Sequence, residues 1–362
     1  MTRIAILSPS LTTADAVSND VMGEFDVLSR QGNEVRLFCE THSINHPQLF
    51  DVAHLSKFLK SSDDILIYHF SRGWSPGLEL IRNLRCRRVI RYHNITPAEF
   101  FVPFSRTDQE ICEAGRRELV ELVATECDLF LSASAFSMRE LIAMGAEASR
   151  SFVVPPFHHI DRLSKITADT RTLQKYSDGA ANILSVGRVV PHKGVHQLIV
   201  MFARYYYDYN RRSRLLIVGK GGEGLSDYSK LLHRAVHKLR LDKAVVFLGG
   251  VPDEVLKACY LVANAFATTS EHEGFCVPLV EAMSMKLPIT AYASTAIPET
   301  LGDAGIAWPD REPLLMAESI DLFVRDRAVR NALGLRGKRR YEAMFTNEKI
   351  EHTFVKAMSR LQ

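Results

Sequence analysis

Two carboxylates and a proline-led helix start mark the stretch Thr269-Ser-Glu-His-Glu-Gly-Phe-Cys-Val-Pro-Leu-Val-Glu-Ala-Met283 as a place where this chain can do chemistry. Glu273 and Glu281 flank Gly274 and Pro278. Proline suits the first helical turn, where the N–H it lacks would have had no partner. Residues 274–277 therefore read as a turn and 278–285 as a helix whose first amides are free, which suits an anion. Glu273 then lies on the lip of the turn, and Glu281 about one helical turn in. Such a site can hold a phosphate on the amide end while the carboxylates accept hydrogen bonds from sugar hydroxyls on either side. Two surface glutamates beside an ordinary helix start fit the same pattern, and the stretch alone does not separate the two readings.

Three other segments carry chemistry. Gly187-Arg188-Val-Val-Pro-His-Lys193-Gly194 follows a strand-like run and precedes a helical one. A guanidinium fork and a compact ammonium are the pair expected around a diphosphate, and the glycines let the backbone come close to a ligand. An exposed basic loop is the plainer explanation. Its place at the mouth of a strand, in the same half of the chain as Glu273, favours the ligand reading. Gly219-Lys-Gly221-Gly-Glu-Gly224 has the G-x-G-x-x-G form but follows an internal strand, and no acidic residue ends a strand about 20 residues later. It reads as a turn near a nucleotide. Tyr92-His93-Asn94-Ile-Thr-Pro97 ends a strand of the first half, and a histidine there either holds a substrate hydroxyl or sits hydrogen-bonded in its loop. No Asp-x-Asp occurs, and no group of His, Asp and Glu has metal-ligand spacing, so no metal is expected.

These residues need a scaffold. At 362 residues the chain fits two domains, and 46% hydrophobic with 24% charged residues is the composition of a globular protein. A formal net charge of +3 gives no argument for nucleic acid as partner. The six cysteines form no C-x-x-C pair and read as reduced thiols, Cys276 as a small space-filler. The first residues are too short an apolar run for a signal peptide, and no stretch reaches membrane-spanning length. The expected location is the cytoplasm, with the inner face of the membrane open because of arginine clusters at 82–91 and 336–340.

Strand and helix patterns alternate from residue 3 to 154. Strands are expected at 3–7, 34–39, 64–70, 88–93, 129–132 and 151–154, and helices at 21–31, 77–84, 108–127 and 135–144. A polar connection at 158–180 separates them from a second alternation. There, strands are expected at 182–186, 214–218, 244–248, 263–268, 288–292 and 305–308, with helices at 195–206, 228–239, 253–262 and after Pro278. Helical spacing returns at 348–361. Such alternation calls for two doubly wound parallel sheets with a ligand cleft between the domains.

Together these features resemble the family 4 retaining glycosyltransferases (the group 1 type), across essentially the whole chain. The resemblance is carried by Val186-Gly-Arg188, Lys193-Gly194, Val218-Gly219, Phe247-Leu-Gly249, Glu273-Gly-Phe275, Pro278-Leu-Val-Glu281, Ile297-Pro-Glu299 and Asp303-Ala-Gly305. It implies the GT-B fold, two Rossmann-like domains facing a central cleft. Residues 1–165 would be the acceptor-side domain and 166–345 the nucleotide-sugar domain, with the helix at 346–362 packing back on the first. It also implies roles. Glu273 would contact the donor sugar, and the backbone of Gly274, Phe275, Cys276 and Val277, with Leu279 behind it, would meet sugar and phosphate. Glu281 would hold the ribose. Gly187, Arg188 and Lys193 would bind the diphosphate, and Gly250 and Val251 the base. His93 would stand by the transferred sugar, so that the catalytic set is Glu273, His93, Arg188 and Lys193. One departure is the first loop, Thr12-Thr-Ala-Asp15, which lacks the glycines of many relatives.

The expectation is thus a retaining, metal-independent hexosyltransferase without cofactor. It would move mannose from GDP-mannose, or a hexose from a UDP-hexose, onto a glycan or lipid-linked glycan in cell-surface polysaccharide or lipopolysaccharide synthesis. Two other classes share parts of the pattern. One is an NAD-dependent oxidoreductase using the loop from Gly219 to Gly224; the other is a catalytically silent sugar-nucleotide binding protein.

Overall fold

The computed structural model describes residues 2–13 and 15–361; Ala14, inside the glycine-free first loop, lies outside them. The chain divides into two compact units. One comprises Met1–Ala98, Thr107–His159 and Thr346–Gln362, the other Glu99–Arg106 and Ile160–Phe345.

In the first unit a seven-stranded parallel sheet runs in the order Leu49–Asp51, Glu34–Cys39, Arg3–Leu7, Ile65–Phe70, Arg87–Tyr92, Leu129–Ser132, Ser151–Val153. The chain therefore starts mid-sheet, winds to one edge and returns to build the other. Alternation along the strands fills two cores. Ile4 and Ile6 pack with Ile67 and Val89 on one face, while Ala5 and Leu7 pack with Leu66 and Tyr68 on the other. The helix Asn347–Met358, capped by Thr346, adds Ile350, Phe354 and Ala357 to the first of these cores.

The second unit has six parallel strands in the order Val245–Gly249, Ser213–Val218, Ala181–Val186, Ala265–Thr268, Ile289–Tyr292, Ile306–Trp308. This is again the doubly wound order, reversing direction between its first and fourth strands. Ligands of such sheets bind at that switch point. The loops leaving the two switch strands are 187–194 and 269–276, the two segments singled out by their chemistry.

Several elements differ from expectation. The first helix is Ala16–Arg30, starting five residues before the expected 21, because Asp15 caps it by accepting the Ser18 N–H at 2.9 Å. The segment read as a plain connection holds two helices, Ile160–Lys165 and Thr170–Tyr176, the latter capped by Asp169. Between 309 and 347, left unassigned from sequence, stand Pro313–Arg325 and Arg327–Met344. The second of these packs on the short helix Val277–Ser284 that forms the site, and supports it from behind.

Candidate functional site

The second unit's site is two loops stitched together. The Thr269 hydroxyl donates to the Gly194 carbonyl at 2.8 Å, and the Glu271 N–H to the His192 carbonyl at 2.8 Å. Gly194, at φ 64°, closes the turn before the helix Val195–Asp208; a Cβ there would lie 2.2 Å from the Thr269 carbonyl oxygen. The turn Pro191–Lys193 is thereby locked, and Lys193 Nζ sits 2.7 Å from Glu273 Oε1. Arg188, in the same loop, is exposed and has no side-chain partner among the described residues. One cation of the pair expected from sequence is therefore paired with the expected glutamate, and the other is free.

Glu273 is held from its backbone, its N–H donating to the Thr295 hydroxyl at 2.8 Å. Residues 274–276 then turn into the helix Val277–Ser284, one residue earlier than expected, with Pro278 in its first turn. Cys276 makes that entry in the left-handed region at φ 76°, unusual for a non-glycine residue. Its thiol is buried against Glu273, and burial first, then that carboxylate, pushes its pKa well above the usual thiol range. It is no nucleophile. The Phe275 carbonyl accepts from the Thr300 hydroxyl at 2.8 Å, and its ring meets Phe345 edge-on. Leu279 is core, with its N–H spent on the Cys276 carbonyl. Glu281 is buried on the helix and accepts from the Tyr260 hydroxyl at 2.5 Å. Val251 follows the edge strand and is half-buried.

Gly219 explains its own loop. A Cβ on it would stand 1.8 Å from the Gly187 carbonyl oxygen, so the G-x-G pattern lets two loops pass each other. The Val189 N–H then donates to the Lys220 carbonyl at 2.8 Å, fixing the Arg188 loop. The helix that follows begins only at Ser226, not at the last glycine.

His93 lies in the first unit, directly after the strand Arg87–Tyr92, at the inner end of a buried charged network that sequence reading missed. Arg91 Nε donates to Asp20 Oδ2 at 2.7 Å and lies 3.3 Å from Glu24 Oε1; all three side chains are sealed from solvent. The Phe157 N–H donates to Asp20 Oδ1 at 2.8 Å. His69 joins Glu24 to His93: its Nε2 is 3.1 Å from Glu24 Oε2 and its Nδ1 2.9 Å from His93 Nε2. Burial holds His69 down at about 3 and His93 well below its ordinary value, so both imidazoles are neutral. Burial opposes ionisation of Asp20, but Arg91 outweighs it and holds the carboxyl low; in Glu24, burial and Asp20 push the carboxyl well up. Asp20, His69 and His93 bring one ligand-type atom each within 4.8 Å of one another, a grouping that linear spacing does not reveal. The cation already on that Asp20 oxygen is Arg91. The signal available from sequence was Asp20 and Glu24 one helical turn apart, and Arg91 and His93 on alternate positions of a strand.

Residues 170–340, most of the second unit, match the family of glycosyl transferases group 1. The O-antigen chain mannosyltransferase B of Escherichia coli is 31% identical over 183 residues, which cover 49% of this chain and 46% of that one. The matched stretch thus spans about half the length of this curated relative. Two solved structures superpose over the whole chain. The sucrose-phosphate synthase of Thermosynechococcus elongatus gives a TM-score of 0.78 at 18% identity, covering 100% of this chain and 99% of its own. Anabaena HepE, solved with UDP and glucose, gives 0.78 at 18% identity, covering 99% and 100%. With the family match lying across the Arg188, Lys193 and Glu273 loops and the fold shared from end to end, residues 170–340 belong to the glycosyl transferases group 1 family and the chain has the GT-B fold.

Proposed function

We propose that this chain is a retaining hexosyltransferase. It takes a hexose, mannose first among candidates, from a nucleotide diphosphate sugar and passes it to a glycan or lipid-linked glycan of a cell-surface polysaccharide. The observation that carries the reading is the second unit's switch point. There Lys193 meets Glu273 at 2.7 Å, Arg188 is left unpartnered, and a helix N-terminus opens beside them. Breaking the sugar–phosphate bond puts positive charge on the sugar and negative charge on the diphosphate. Arg188, Lys193 and the amides after Gly274 stabilise the second, and Glu273 orients the first. Glu281 takes the ribose, and the backbone at Gly250 and Val251 the base.

With no protein nucleophile in the set, the acceptor hydroxyl attacks from the face the diphosphate leaves, and the departing phosphate oxygen takes its proton. No metal is assigned a step. The first unit takes the acceptor side, with His93 holding a substrate hydroxyl. GDP-mannose is favoured because curated relatives are named mannosyltransferases, with UDP-hexoses next because HepE was solved with UDP and glucose. Among the described residues no helix is long and apolar enough to cross a membrane, and the enzyme is proposed to act in the cytoplasm or at the inner membrane face.

A panel of nucleotide sugars screened for thermal stabilisation identifies the donor, since a ligand at 100 times its Kd adds about 2.7 kcal/mol. With that donor, Arg188→Ala and Lys193→Ala are each expected to lower turnover by about 10²- to 10³-fold and to weaken binding of the nucleoside diphosphate. Unchanged affinity in both variants would overturn the assignment.

A further inference from the structure

We infer that Glu24 and His69 are positioning residues: a buried hydrogen-bonded relay that fixes the tautomer of His93, placing its proton on Nε2 and leaving Nδ1 bare. Three observations carry this. The chain of contacts is continuous, Glu24 Oε2 to His69 Nε2 at 3.1 Å and His69 Nδ1 to His93 Nε2 at 2.9 Å. His69 and Glu24 are sealed from solvent, while 9% of the His93 side chain is accessible. His93 Nδ1 has no protein partner among the described residues.

Two neutral imidazoles in contact must place one proton between them, so only two arrangements are self-consistent. In one, His93 Nε2–H donates to His69 Nδ1, and His69 Nε2–H donates to Glu24 Oε2. In the other, a protonated Glu24 donates its O–H to a bare His69 Nε2, His69 Nδ1–H donates to His93 Nε2, and His93 is left with its proton on Nδ1. Asp20 decides between them. Its Oδ2, tied to Arg91 at 2.7 Å, lies 3.7 Å from His93 Nε2. A bare ring nitrogen there would turn its lone pair toward a carboxylate, whereas an N–H is attracted to it. Glu24 Oε2 meets His69 in either arrangement, and Oε1, 3.3 Å from an Arg91 Nε whose hydrogen goes to Asp20, accepts no hydrogen bond among the described residues. The groups around His93 are thus Asp20 and Glu24 from the first helix, His69 from the neighbouring strand and Arg91 from its own. Glu24, with its carboxyl pushed up by burial and Asp20, can meet His69 as donor or acceptor, so the choice rests on Asp20, which favours a bare Nδ1, an acceptor for a hydroxyl.

The relay's effect on turnover rests on the transferase reading above; its effect on His93 does not. The test is nitrogen-15 NMR of the full chain, labelled at histidine, with the His93 signals assigned by their loss in His93→Gln. At pH 7, wild-type His93 is expected to show a protonated Nε2 and an unprotonated Nδ1, in a single tautomer. In His69→Phe, which keeps an aromatic ring but removes both hydrogen bonds, the two nitrogens are expected to shift toward the average of a tautomer mixture. Glu24→Gln supplies the same readout if the first variant does not fold. A wild-type proton on Nδ1, or a His93 pattern unchanged in the folded variant, overturns the relay. With the donor identified, His69→Phe is expected to lower kcat roughly 10- to 100-fold with donor KM little changed. A shifted tautomer with full kcat would count against the role of His93 in transfer and leave the relay in place.

Discussion

The two units each gather charge where their sheets reverse direction, and they treat it differently. In the first, Arg91, Asp20 and Glu24 are fully buried and pair with one another, with His69 and a backbone carbonyl as further partners, while Glu24 Oε1 and Arg91 Nη2 have no hydrogen-bond partner among the described residues. In the second, Lys193 answers Glu273, but Arg188 stands exposed with no partner among the described residues. A buried set of opposite charges sealed from solvent carries structure, because each member is there only while its partners are. A half-open set with a spare cation is unfinished until a ligand arrives. On the proposed function, the same kind of switch point serves as keystone in one unit and as socket in the other.

The largest expected effect tests that contrast directly. Arg91→Met removes the donor from Asp20 Oδ2 and from the Val154 carbonyl, and leaves two carboxylates facing each other without a counter-charge. Its cost is expected to be about 3–5 kcal/mol in urea unfolding. Lys193→Met, at a side chain that is a quarter exposed, is expected to cost well under that in stability while removing turnover. Equal losses in the two variants would mean that the second set is as structural as the first.

How much of this was legible beforehand follows the same division. The second unit's site is built from two continuous loops, so Glu273, Lys193 and Arg188 announce themselves by order along the chain. The strand before each loop and the proline after it say where it points. The first unit's network takes one or two residues from each of three elements. Asp20, Glu24, His69 and Arg91 are unremarkable singly, and only the strand order brings them together. The missing helices fail for a related reason. Arg327–Met344 is so polar that its inner face rests on Gly334, Gly337 and Tyr341, and no apolar stripe marks it. The early start of the first helix turned on one capping aspartate, a signal weaker than the polar run around it.

Acid separates the two units by a smaller amount. Below pH 6.5 an unfolded chain binds protons that a buried neutral histidine refuses, so stability falls as pH drops toward the folded value. In the first unit that loss from His69 and His93 is opposed by Glu24, whose raised carboxyl favours the native state as pH falls. In the second, His192 is buried in edge-on contact with Phe100 and Phe101, with Nδ1 unpartnered; burial first, then Lys193, holds it well below its ordinary value, and among the described residues no carboxylate raises it in return. His192→Phe is expected to flatten the stability profile below pH 6.5 by up to about 1.4 kcal/mol per pH unit. A profile with unchanged slope would mean that His192 takes up its proton in the folded state.

The smallest effect concerns two residues that share a backbone conformation. Asn94 and Cys276 both lie in the left-handed region, at φ 78° and φ 76°, one in each unit. Asn94 repays that conformation through its side chain, which donates to Ser137 Oγ at 3.1 Å and to Glu140 Oε2 at 3.0 Å. Cys276 has only a buried thiol against Glu273. Glycine at 276 would relieve about 1–2 kcal/mol of backbone strain, while losing a small apolar burial and about 0.5–1 kcal/mol of chain entropy. The terms nearly cancel, so Cys276→Gly is expected to change the unfolding free energy in urea by less than about 1 kcal/mol, and Asn94→Gly to cost more, since it strips buried groups of their partner. If the order is reversed, the thiol is holding Glu273 in place, and the socket of the second unit is more pre-formed than its open arginine implies.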